Sequence, residues 1–139
     1  MKKAFEILDH TADVGIIAYG ASVEELFSNA AMALFSLITE LESVDEKLCL
    51  DVEVSGEDTE GLLVEWLNEL IYLVDARHVL LRRFAIENLS GTGLKAECYG
   101  EEFDPAKHRM QLGVKAATYH MLELAKSGDG YSAQVIFDV

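Results

Sequence analysis

Two stretches of the chain repeat their apolar residues at the spacing of an amphipathic helix. The first begins at Ser22 and runs to Leu41, and Glu25, three residues after Ser22, completes a capping box. The second begins at Asp58 or Thr59, with acidic residues in its first turn and basic ones just past its end. Each stripe predicts a helix with one face in a hydrophobic core. The apolar positions of the two stripes are Val23, Leu26, Phe27, Ala30, Ala31, Leu34, Phe35, Ile38 and Leu41, then Leu62, Leu63, Trp66, Leu67, Leu70, Ile71 and Val74.

Most of the remaining chain alternates apolar and polar residues with a period of two, which is typical of half-buried β-strands. Turn residues at 90–93 and 127–130 favour hairpins between neighbouring strands. We therefore expect a single α+β domain over residues 1–139, with a largely antiparallel β-sheet and two amphipathic helices packed on it. The predicted strands are 5–8, 14–19, 48–54, 80–89, 94–99, 110–116 and 131–139, and the run 119–122 reads as extended or as a helical turn.

The numbers of acidic and basic residues argue against some classes of function. The chain of 139 residues is half hydrophobic, which excludes a disordered protein, and it has 11 Lys and Arg residues against 25 Asp and Glu residues. The net charge of −14 argues against direct binding of nucleic acid, because such proteins present a basic surface to the phosphates. A basic protein partner, a cation or plain solubility would each fit an acidic surface.

The cysteines and the N-terminal residues bear on the compartment. Only Cys49 and Cys98 are present, too few for a disulfide-stapled secreted domain. The first residues lack the apolar segment of a signal peptide, and the uncharged run 26–39 is too short to span a bilayer. We expect a cytoplasmic protein with no membrane partner.

Acidic residues at two places are candidates for chemistry, since the chain contains no nucleotide-binding loop, zinc-ligand spacing or nucleophile motif. The first place is the loop from Asp9 to Asp13, which holds two carboxylates, an imidazole and a hydroxyl between two apolar strands. Carboxylates at such a tip suit a hard divalent cation. Ordinary turn chemistry is the alternative, because Asp and Thr side chains also bond their own backbone.

The second place is the C-terminal strand. Asp138 and the α-carboxylate of Val139 place two anions at one point, and a strand that runs to the last residue holds that carboxylate in place. Adjacent anions repel unless a cation or a donor joins them. A solvated acidic end is the alternative. A weaker candidate site is the segment that contains Lys115, Tyr119 and His120. The alternative is that His120 has only a structural role.

Three segments of the sequence resemble the signatures of one known family, the archeases. They are residues 5–16 (FEILDHTADVGI), residues 114–120 (VKAATYH) and the ending 135–139 (VIFDV). The helical segment 62–73 also fits, so the resemblance covers essentially the whole chain. It implies an archease-like fold.

The resemblance also implies a function. Archeases are protein cofactors of the RtcB-type RNA ligase, which joins RNA ends bearing a 3′-phosphate or 2′,3′-cyclic phosphate to a 5′-hydroxyl in tRNA splicing and RNA repair. An archease promotes guanylylation of the ligase and allows multiple turnover, and it is not itself an enzyme. The implied partner is therefore the ligase, and the protein would be a non-catalytic, chaperone-like activator in tRNA processing.

The family's metal site maps onto both acidic places. By the resemblance, Asp13, Asp138 and the terminal carboxylate of Val139 hold a divalent metal ion. An oxygen-only set of ligands favours Ca²⁺, Mg²⁺ or Mn²⁺ over a thiolate-bound metal.

Asp9, His10 and His120 are expected as neighbours of this metal site. Two other functions stay open. The protein could act as a chaperone-like modulator of another RNA-processing enzyme such as a tRNA methyltransferase. It could also be a small metal-dependent hydrolase that uses the same carboxylates.

Overall fold

The computed structural model describes residues 3–9 and 13–139, and within them the chain forms seven strands, two α-helices and one short 3₁₀ turn. This confirms the predicted α+β class with two helices and antiparallel strands. The elements are β1 (Phe5–Asp9), β2 (Asp13–Gly20), α1 (Val23–Ile38), the 3₁₀ turn (Leu41–Ser43), β3 (Leu48–Ser55), α2 (Thr59–Arg77), β4 (Val79–Glu87), β5 (Gly93–Glu102), β6 (Ala116–Ser127) and β7 (Gly130–Asp138).

Both helices begin at the predicted capping residues. The Ser22 hydroxyl accepts the Glu25 N–H at 3.1 Å, and the Glu25 carboxylate accepts the Ala21 N–H at 2.9 Å, one residue before the cap. The Asp58 carboxylate accepts the Gly61 N–H at 2.7 Å. These side chains satisfy backbone donors that the first turn of a helix leaves without partners.

The strands divide between two antiparallel sheets. One sheet has the order β1-β2-β7-β6 and the other β3-β5-β4. Helix α1 contacts β2 of the first sheet and β4 of the second, whereas α2 contacts β6 and β3. Each helix therefore packs against both sheets, and the core lies where helices and sheets meet. Neither helix combines the length and apolar character needed to cross a membrane, as far as the described residues go.

A cluster of aromatic side chains packs between the two helices and the second sheet. The Trp66 indole N–H donates to the carbonyl of Phe27 at 3.0 Å, which satisfies the polar atom of a fully buried side chain. Phe84 of β4 packs edge-on against Trp66, with 6.1 Å between ring centroids, and lies 5.7 Å from the ring of Phe35. These rings fix the relative positions of α1, α2 and β4.

The predicted strand at 110–116 is wrong for all but its last residue. The chain from 103 to 115 has no regular structure and crosses from β5 in one sheet to β6 in the other. The Gln111 N–H donates to the carbonyl of Ile38 at 2.8 Å, and the Thr39 hydroxyl donates to the carbonyl of Arg109 at 2.9 Å. The alternation reflects an extended segment that packs against the end of α1 before it joins β6.

A buried ionic cluster holds this crossing segment in place. The carboxylate of Glu101, 5% exposed, accepts hydrogen bonds from the backbone N–H of Asp45 at 2.7 Å, from the Lys107 ammonium at 2.7 Å and from His108 Nε2 at 3.0 Å. The Asp104 N–H donates to the other ring nitrogen of His108, Nδ1. Burial alone would raise the pKa of Glu101, but these hydrogen bonds outweigh it and lower the pKa to about 2.

Candidate functional site

Asp13 and Asp138 lie directly opposite each other at one end of the first sheet. The antiparallel register of β2 and β7 pairs Asp13 with Asp138 and continues without a break to Gly20 and Tyr131. Side chains that are directly opposite share one face of a sheet, with Cβ atoms about 4.5–5.5 Å apart. The two acidic places, distant in sequence, are therefore adjacent in the fold.

The backbone of Asp138 is fixed on both sides. β2 pairs with it on one side, and on the other Ala116 of β6 is its register partner. The Lys115 N–H donates to the Asp138 carbonyl at 2.8 Å. Phe137, the preceding residue, is fully buried and anchors the end of β7 in the core. The carboxylate of Asp138 thus projects from a backbone held rigidly between two strands.

Two side chains that can carry like charge face each other across this rung. Asp13 is half-buried, Asp138 is exposed, and Val139 follows at once with 37% exposure. Like charges directly opposite on a sheet destabilise it. No Lys, Arg or His within residues 3–9 and 13–139 forms an ion pair with either carboxylate. Carboxylate oxygens are the ligands that a hard divalent cation prefers.

The other predicted neighbours are placed only in part. The backbone of Asp9 pairs with Val14, next to Asp13, whereas the Asp9 side chain and the whole of His10 lie outside the described residues. His120 is exposed and lies on β6 beyond the rung that pairs Thr118 with Ile136. The register therefore does not bring His120 beside Asp138.

A wide bulge interrupts β6 at the run 119–122. The register passes from Thr118–Ile136 to Glu123–Gln134, so four residues of β6 face one residue of β7. Met121 takes a left-handed backbone conformation with φ of 53°, which is uncommon for a residue other than glycine. Such bulges redirect side chains, and Tyr119 and Met121 point outward with 62% and 58% exposure.

Tyr119 borders a polar cleft at the beginning of α2 that the sequence pattern did not reveal. The cleft has a volume of about 640 Å³. From the sequence, its acidic residues read only as the first turn of a helix, and nothing indicated that β6 would fold over that turn. The lining residues are Ser55, Gly56, Glu57, Asp58, Gly61, Glu65 and Tyr119.

Comparison with known proteins gives a consistent result. The profile of the "Archease protein family (MTH1598/TM1083)" matches residues 5–139. Proteins named archease from Methanosarcina mazei and Pyrococcus abyssi are 40% and 42% identical over 141 aligned residues each. These alignments cover 99% of this chain and 97% and 99% of the relatives.

Two solved structures resemble the fold. The solution structure of protein 1598 from Methanobacterium thermoautotrophicum has a TM-score of 0.85 and 36% identity, covering 98% of this chain and 99% of that one. The crystal structure of TM1083 from Thermotoga maritima, described as an archease and possible chaperone, has a TM-score of 0.68 and 24% identity, covering 100% and 98%. On the family match and the close relatives, the chain belongs to the archease family.

Proposed function

We propose that this protein is a non-catalytic accessory factor that activates an RtcB-type RNA ligase in tRNA splicing and RNA repair. In this proposal Asp13, Asp138 and the terminal carboxylate of Val139 hold the divalent cation on which activation depends. The observation that carries the proposal is the direct pairing of Asp13 with Asp138 across β2 and β7.

The chemistry of the donors supports a hard cation. All three groups are carboxylates, and Ca²⁺, Mg²⁺ and Mn²⁺ prefer oxygen ligands. The strand ladders hold the Asp13 and Asp138 backbones, so few degrees of freedom are lost when the side chains converge on an ion. A bound divalent cation would supply positive charge to phosphate oxygens.

The charge of the molecule supports action on a protein rather than on RNA. With a net charge of −14, the surface repels a phosphate backbone and attracts a basic partner, which speeds encounter and sets orientation. An accessory role also agrees with the description of the Thermotoga relative as a possible chaperone. The residues of this chain would then bind and orient the ligase, which keeps the bond-forming chemistry.

The test is multiple-turnover ligation by a purified RtcB-type ligase from the same organism, with GTP and divalent metal. This protein is added below the ligase concentration with an untagged C-terminus. We expect stimulation by the wild type and none by Asp13→Asn or Asp138→Asn. Asp75→Asn is the matched control, since it removes one exposed carboxylate near the end of α2.

Three results would contradict the proposal. Stimulation by both site variants at the wild-type level would remove the metal site from the mechanism. A lack of stimulation by the folded wild type, with recovery of a tRNA methyltransferase from pull-downs, would favour the other RNA-processing partner. Phosphoester hydrolysis by the isolated protein, lost in Asp13→Asn, would make it an enzyme.

A further inference from the structure

A thiol and two carboxylates converge on the outer face of the second sheet, which does not include β2 or β7. Cys49 and Asp51 belong to β3 and Glu97 to the central strand β5. One ligand atom from each, the Cys49 sulfur and one carboxylate oxygen each from Asp51 and Glu97, lie within 4.8 Å of one another.

The strand register explains the convergence. Asp51 is directly opposite Glu97, and Cys49 lies two residues before Asp51, so all three side chains share one face. The next rung pairs Glu53 with Lys95, which is the usual opposite-charge arrangement on a solvated face. The Asp51–Glu97 rung instead sets two carboxylates against each other beside a thiol.

Among the described residues no cation forms an ion pair with this cluster, and the Tyr99 hydroxyl donates to a Glu97 carboxylate oxygen at 3.4 Å. On β4 the register partner of Glu97 is Ala85, which brings no cation. Arg83, one rung away, stacks on the Tyr99 ring at 3.8 Å and donates to both carboxylate oxygens of Glu46 at 2.9 and 3.1 Å. The Arg83 guanidinium therefore forms its ion pair with Glu46 and not with the cluster.

We propose that Cys49, Asp51 and Glu97 form a second metal site, specific for a thiophilic divalent cation such as Zn²⁺. One thiolate and two carboxylates match the ligands and tetrahedral geometry that Zn²⁺ accepts, and three protein ligands leave one position for water. Binding deprotonates the Cys49 thiol and releases one proton to solvent. This ligand chemistry differs from the all-oxygen centre at Asp13 and Asp138, so the two sites select different metals.

The experiment uses Co²⁺ as a spectroscopic probe of the full-length protein under reducing, oxygen-free conditions. We expect a near-ultraviolet thiolate-to-cobalt charge-transfer band that saturates at one equivalent and is abolished by added Zn²⁺. Cys49→Ser should abolish the band. The other thiol, Cys98, does not substitute, because it is fully buried and lies on the opposite face of β5 from Glu97. Asp51→Asn and Glu97→Gln should each weaken Co²⁺ binding about 10-fold or more.

Matched controls separate this site from the rest of the surface. Glu53→Gln removes a carboxylate from the same face of β3, one rung further on, and should leave the band unchanged. Asp138→Asn should also leave it unchanged, so failure here and failure of the proposed function are distinguishable. The proposal is wrong if the wild type shows no band, if the band survives in Cys49→Ser, or if the Asp51→Asn/Glu97→Gln double variant binds Co²⁺ as tightly as the wild type.

Discussion

The side-chain amide of Asn68 and the backbone of Ala117 form a two-way hydrogen-bonded pair between α2 and β6. The Ala117 N–H donates to Asn68 Oδ1 at 2.8 Å, and Asn68 Nδ2 donates to the Ala117 carbonyl at 3.2 Å. In the sheet formed by the described residues β6 is an edge strand, so one side of its backbone has no strand beside it there. The Asn68 side chain bonds that side of β6 at Ala117. Ala117 directly follows Ala116, the register partner of Asp138.

Replacing Asn68 should therefore loosen the strand beside the candidate site. We expect Asn68→Ala to cost about 1–3 kcal/mol in the free energy of unfolding, because it leaves two backbone groups of Ala117, itself buried, without partners. Urea denaturation measures this loss. Asn68→Asp keeps an acceptor for the Ala117 N–H and should fall between wild type and Asn68→Ala. Equal stability of all three proteins would show that water replaces the amide at no cost.

Metal should stabilise the wild type and leave the site variant unaffected. In a chelator, we expect Asp138→Asn to be more stable than the wild type by about 0.2–1 kcal/mol, because the substitution relieves repulsion from Asp13. Saturating Ca²⁺ or Mn²⁺ should raise the melting temperature of the wild type and leave that of the variant unchanged.

A chain extended beyond Val139 tests the third ligand in the same assay. The extension converts the α-carboxylate to an amide, so we expect the affinity for Ca²⁺ or Mn²⁺ to fall about 10-fold or more. An extended protein that binds metal as tightly as the native chain would exclude Val139 from the site.

Acid should destabilise the protein through Glu101. Its pKa is lowered from 4.5 to about 2 in the folded state, so its contribution is complete above the unfolded value and disappears as the pH falls from 4.5 towards 2. At pH 7 we expect Glu101→Gln to cost about 2–4 kcal/mol, since it removes the charged acceptor of His108 and leaves Lys107 paired with Asp45 alone. Denaturant unfolding at pH 7 and pH 3 should show the gap between the two proteins narrowing in acid. A constant gap would mean that the charge of Glu101 contributes nothing.

Gly100 should tolerate no side chain. A Cβ built on it would lie 1.9 Å from the carbonyl oxygen of Leu80 and 2.8 Å from the Cα of Leu81, both backbone atoms that cannot move aside. We expect Gly100→Ala to destabilise the fold by about 3 kcal/mol or more. The control is Gly113→Ala, whose Cβ would meet nothing within 4 Å. Thermal melting of both variants measures the difference.

The helices and the hairpins at 90–93 and 127–130 followed from the sequence because their signals are local. Ser22 and Asp58 cap the helices at the predicted residues, and the apolar stripes face the core. The division into two sheets did not follow, because a period of two shows that a strand is half-buried without naming its neighbour. The same ambiguity predicts a strand at 110–116, whereas residues 110–115 form no strand and contact the end of α1.

Only part of the candidate site could be predicted from the sequence. Spacing alone left Asp13 and Asp138 as separate acidic ends, and the family resemblance joined them in a single site before the register of β2 and β7 showed them adjacent. The bulge at 119–122 had no sequence signal, because a methionine with positive φ is set by tertiary contacts. Glu101 and His108 were missed because an acid and a histidine separated by a polar loop resemble ordinary surface residues.

The pairing of β2 with β7 also sets when the candidate site can exist. Residues 13 and 138 have the widest separation in sequence of any strand pairing in the described chain, so their contact closes the longest loop and carries the largest entropic cost. During synthesis, a ribosome-bound chain that has not yet released β7 cannot bring the two carboxylates together. A truncated or misfolded product therefore lacks the paired carboxylates, and only a chain that has completed its topology brings them together.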